Sequence, residues 1–100
     1  MTAYIEIEHP GVTLKEDFLD AFNVRPGALA AAIHVDRAAI KNIIDGKRSV
    51  TAEMAIRLGL FFGTTADFWL NLQKDYDLRI AKREKLARLS FEINPLHVAA

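Results

Sequence analysis

Cysteine is absent from the 100 residues, which removes both a disulfide framework and a thiolate zinc site and leaves nothing that argues for secretion. No apolar run approaches the roughly 20 residues of a membrane-spanning helix; Leu58 to Phe62, for one, has Gly59 inside it. The N-terminus lacks a basic region followed by an apolar stretch, so no signal peptide is expected. The expectation is a cytoplasmic protein with no membrane partner. Repeats, low-complexity tracts and linkers are also missing, and 100 residues make a single domain over 1–100, large enough to bury a core without staples.

Catalytic chemistry is just as poorly supplied. His9, His34 and His97 form no i, i+4 pair and have no cysteine to complete a site, so no metal is expected. Asp17 and Asp20, with Glu16 beside them, fit the solvated face of an amphipathic helix better than an acid–base pair. Ser49 and Ser90 have no positioned base, and there is no glycine-rich phosphate loop. Neither an enzyme nor a cofactor is expected.

What the chain does have is apolar content, 51% of residues, which places it among ordered globular proteins. Its 13 basic and 13 acidic residues cancel, an unpromising total for a nucleic-acid binder until the charge is resolved along the chain. Residues 1–20 carry five acids against Lys15. Basic residues gather instead in 37–57 (Arg37, Lys41, Lys47, Arg48, Arg57) and in 79–88 (Arg79, Lys82, Arg83, Lys85, Arg88).

The first of these stretches coincides with the most informative spacing in the chain. Between Pro26 and Gly46, Leu29, Ala30 and Ile33 make one helical face, Val35 follows a tight turn, and Ile40 and Ile43 make the inward face of a second helix. That is the apolar pattern of a helix-turn-helix, with Ala30 small enough for the crossing. His34 stands at the turn position where a positive φ is usual. Asp36 is placed to cap the second helix and Gly46 to close it as a left-handed residue. The same spacing also fits two ordinary packed helices of an all-α domain. As a recognition helix, residues 37–45 would turn Arg37, Ala38, Ala39, Lys41 and Asn42 outward. Arg37 and Asn42 suit base edges, Ala38 or Ala39 a thymine methyl, and Lys41, Lys47, Arg48 and Arg25 phosphates.

The remaining elements follow from periodicity and punctuation. Tyr4 to Glu8 alternates and fits a short strand. Pro10 and Gly11 open a helix with apolar Val12, Leu14, Phe18, Leu19 and Phe22, ended by Asn23. Thr51 caps a helix through Phe62, in which Gly59 implies close approach of a neighbouring helix, and Gly63 ends it. Thr64 or Thr65 caps a helix to about Asp77, whose Phe68, Leu72 and Tyr76 stripe, with Trp69 beside it, reads as packing. Leu78 to Ser90 reads as a separate basic helix, and Phe91 to Ile93 as a short extended piece. This basic helix and the tail after it span about 78–100.

Three stretches together resemble a known family: His9-Pro10-Gly11; Gly46-Lys47-Arg48 with Thr51-Ala52; and Phe61-Phe62-Gly63-Thr64 running into Phe68-Trp69-Leu70-Asn71-Leu72-Gln73 and Tyr76-Asp77-Leu78. They are similar to the HigA-type antitoxins, or virulence-associated protein I, of the XRE helix-turn-helix class, and Asn94-Pro95-Leu96 resembles the family's ending. The resemblance implies an all-α bundle of five or six helices around a lambda-repressor-like helix-turn-helix at about 26–46, with room for short strands at the termini. It also implies a homodimer that binds operator DNA, represses its own operon and neutralises a small basic ribonuclease toxin. Ala38 and Ala39 stand where a Thr and an Arg are common in relatives, and Arg25 and Pro26 where Ser or Thr and Gln are. Two alternatives therefore stay open: a stand-alone phage-type repressor, and a toxin-binding antitoxin with little operator affinity.

Overall fold

The computed structural model describes residues 7–97, which form five helices and no strand. Helix α1 (Pro10–Val12) runs without a break into a π-helical stretch, Thr13–Asp20; α2 (Pro26–Ala32), α3 (Arg37–Ile44), α4 (Ala52–Phe62) and α5 (Ala66–Glu92) follow. Most of the strand expected at 4–8 lies outside the described residues; Ile7 and Glu8 are not part of one. The extended piece expected at 91–93 is corrected, because Phe91 is still helical and only Ile93, the C-cap of α5, is extended.

Helix starts and stops obey local chemistry. Pro10 and Pro26 each open a helix, where their missing N–H is no loss. Thr51 Oγ1 accepts from the Met54 N–H at 3.2 Å, and Thr65 Oγ1 from Phe68 at 3.1 Å. Asp36 does occupy the N-cap of α3, but its side chain makes no capping bond; only its carbonyl serves, accepting from the Ala39 N–H at 3.0 Å. Positive φ falls at Asn23, His34, Gly46 and Gly63, the four positions read as turn or terminator residues. At His34 and Gly46 the chain reverses in paired bonds: Val35 N–H to Ala30 carbonyl at 3.0 Å, and Lys47 N–H to Asn42 carbonyl at 2.8 Å.

The core gathers Leu29, Ala30, Ile33, Ile40 and Ile43 from the helix-turn-helix, Met54, Ala55 and Leu58 from α4, and Trp69 from α5. The first helix contributes Leu14 and Leu19, both fully buried and five residues apart. That spacing suits the i→i+5 winding of the π stretch, which also brings Lys15 Nζ to Asp20 at 2.7 Å. The same winding displaces Phe22, expected in the core, and leaves it 61% exposed. Gly11 sits against the carbonyl of Ile43, where any Cβ would collide with the backbone of α3. Gly59 likewise admits a close approach, of the turn at Thr64 rather than of a helix face, its Cβ position lying 2.8 Å from the Thr64 carbonyl oxygen.

The two helices expected at 64–77 and 78–90 are one. Nothing between Ala66 and Glu92 is Gly or Pro, and i, i+4 ion pairs such as Asp75–Arg79 at 3.0 Å continue across the expected break. Its 27 residues make a rod of about 40 Å. Only its first turns touch the core, through buried Trp69 and Gln73, so the far half projects and the molecule measures 57 × 35 × 22 Å.

Candidate nucleic-acid interface

Helix α3 is held from behind and open in front. Ile40 and Ile43 are completely buried, while Arg37, Ala38 and Lys41 are exposed and Asn42 is half-buried. Ala39, expected on the outward face, points inward and is only 6% exposed, because it lies one turn before Ile43 on the same side of the helix. It has no methyl surface to offer a base.

The expected cations fall into two groups. Arg25, Arg37 and Lys41 meet around one open groove of about 400 Å³, which Lys15 and Gly27 also line. Lys41 there is paired with Asp45 at 3.0 Å, and Lys15 with Asp20. Lys47 and Arg48 lie away from that groove, in the turn after α3, with both backbone N–H groups on the Asn42 carbonyl at 2.8 and 3.2 Å. Arg57, counted in the same basic stretch, is used inward instead. Its Nη1 donates to the Ile33 carbonyl at 2.6 Å and its Nη2 to Glu53 at 2.9 Å, which ties the helix-turn-helix turn to α4.

Two buried polar residues fix the loop after α3: Gln73, whose burial the sequence did not single out, and His9, which stands at the helix entry as expected. Gln73 accepts the Val50 N–H on Oε1 at 2.8 Å and donates from Nε2 to Asp77 at 2.9 Å. His9 accepts the Gly11 N–H on Nδ1 at 2.9 Å and packs edge-on against Tyr76, with ring centroids 4.9 Å apart. Burial lowers the pKa of His9 from its ordinary value, against the opposing pull of the Asp77 carboxylate and a hydrogen bond to the Arg48 backbone. Gln73 lies four residues beyond Trp69, so its inward direction could be read from helical spacing. Nothing in the sequence names Val50 as its partner.

No protein-family model matches the chain. Among curated proteins it is 42% identical to virulence-associated protein I of Dichelobacter nodosus over 77% of this chain and 71% of that protein. It is 36% identical to antitoxin HigA-1 of Vibrio cholerae over 89% of this chain and 83% of that protein. Among solved structures, that of the Pseudomonas aeruginosa antitoxin HigA with the higBA promoter superposes with a TM-score of 0.89 at 40% identity, covering 92% of this chain and all of that one. No helix among the described residues is long and apolar enough to cross a membrane. A helix-turn-helix whose second helix is anchored by Ile40 and Ile43, shared over most of their length with relatives at this identity, makes the chain a member of the HigA family of helix-turn-helix antitoxins.

Proposed function

We propose that the chain is the antitoxin of a type II toxin–antitoxin pair, acting in the cytoplasm as one domain over residues 1–100. It binds the operator of its own operon as a homodimer and captures a small basic ribonuclease toxin, without catalysis of its own. The observation that carries the DNA-binding part is α3, whose buried face is apolar and whose solvent face holds Arg37, Lys41 and Asn42. Support comes from the Pseudomonas aeruginosa HigA, whose structure was solved with its promoter.

In this reading Arg37 and Asn42 meet base edges, as Arg can take guanine O6 and N7 together and Asn adenine N6 and N7. Lys47, Arg48 and Arg25 take phosphates, and Lys41 does so by giving up Asp45. Ala38 alone offers a methyl to thymine. Two copies set their recognition helices roughly 34 Å apart on neighbouring turns of the duplex. The burial of Ala39 favours a second reading, capture of the toxin with little operator affinity, because α3 then has few groups with which to read bases.

The test is co-expression with the product of the adjoining reading frame, followed by binding of the purified complex to the operon's promoter and to a scrambled duplex at one stated salt concentration. Co-purification with preference for the promoter supports the proposal. Capture without preference selects the second reading, and promoter binding without capture selects a stand-alone repressor.

A further inference from the structure

The Arg37 guanidinium occupies the space that a side chain at residue 27 would fill. A Cβ built on Gly27 falls 2.6 Å from Nη2, 2.9 Å from Nε and 3.1 Å from Cζ of Arg37, closer than any L residue could tolerate without moving the guanidinium. The backbone does not require glycine here: Gly27 lies in the first turn of α2 and is not among the residues with positive φ. Alanine is the better helix former, so glycine at this place weakens α2 while leaving the guanidinium the space it occupies. Arg37 itself has no hydrogen bond or ion pair to any described residue. Its groove neighbours Lys15 and Lys41 are taken by Asp20 and Asp45.

We propose that Gly27 is a specificity-determining positioning residue, the bare seat that holds the Arg37 guanidinium against α2 and fixes the pose from which it meets a base edge. The inference rests on the reading of α3 as the recognition helix. A free arginine samples many rotamers, and confining it before binding is worth about tenfold in an equilibrium constant. The confinement favours the cognate duplex, because only there does the fixed fork find both of its acceptors.

The experiment compares full-length wild type, Gly27→Ala, Arg37→Ala and the double variant. Fluorescence anisotropy at fixed salt measures each on two duplexes: the best binder that the wild type selects from a random library, and a scramble of it. Gly27→Ala is expected to lower the selected-to-scrambled affinity ratio about tenfold while its Tm stays level or rises, and to add nothing once Arg37 is Ala. An unchanged ratio in Gly27→Ala beside a reduced one in Arg37→Ala overturns the seat and leaves the reading of α3 standing. Additive losses, or equal losses on both duplexes with a shallower salt dependence, also overturn it. Should the wild type select no sequence, or Arg37→Ala keep the full ratio, the base-reading role of Arg37 fails and the inference falls with it.

Discussion

Trp69 is fully buried, donates its indole N–H to Thr64 Oγ1 at 2.8 Å and stacks obliquely on Phe18, whereas its neighbour Phe68 is 37% exposed. Both were expected to pack, and the two now separate. Trp69→Ala should cost about 3–5 kcal/mol and Phe68→Ala about 1 kcal/mol, read as shifts in the urea midpoint at constant slope. His9 gives a pH dependence with a definite sign. Its folded pKa lies below the ordinary value near 6.5, so the unfolded chain takes the proton first. Its contribution is intact above about pH 6.5 and is lost as the pH falls towards the folded pKa. The stability difference between pH 7.5 and 5.5 should therefore shrink in His9→Gln relative to wild type, measured by urea unfolding at both pH values. At this scale the turn residues could be read from sequence, since a positive φ limits what can stand there. The partners of Gln73 and Arg57 could not, because the Val50 N–H and the Ile33 carbonyl are backbone groups far away in the chain.

The misread helices failed for different reasons. The first helix has a π-wound stretch, so a 3.6-residue wheel put Phe22 in the core, while Leu14 and Leu19 show the true spacing of five. The break expected before Leu78 rested on a change from apolar to basic composition, but composition does not end a helix. Gly, Pro or a cap does, and α5 has none inside it. The Asp36 cap failed in the side chain alone, since the position and backbone are those of an N-cap. The loop after α3 is firmer than its exposed charges imply, pinned at Val50 by Gln73 and at Lys47 by Asn42. A pinned cation that neutralises a phosphate has a clear signature: Lys47→Ala should weaken binding to all duplexes alike and reduce the log–log salt slope by roughly 1. A slope equal to that of wild type would place Lys47 off the DNA.

Seen whole, the molecule is a small helical body with a rod attached. Leu78, Leu86 and Leu89 lie within an arc of about 80° on α5 at 100° per residue, all at least 37% exposed, on the half that projects beyond the core. An unsupported helix with such a stripe is marginal in water, and in the proposed homodimer a second copy of the rod would cover it. Replacing Leu86 and Leu89 together by Asp should give a monomer in sedimentation equilibrium whose Tm no longer depends on protein concentration, while the core, which neither side chain touches, stays folded. Because α5 carries no Gly or Pro, whatever joins its far end to a partner is coupled to α3 by helical phase. One extra residue after Asp77 would turn the distal stripe by about 100° and advance it about 1.5 Å, whereas seven would restore the facing to within about 20° and lengthen the rod by about 10 Å. In the proposed homodimer the separation of the two recognition helices would then depend on residue count in α5, and insertions of about seven or eleven residues, unlike one, would keep the facing.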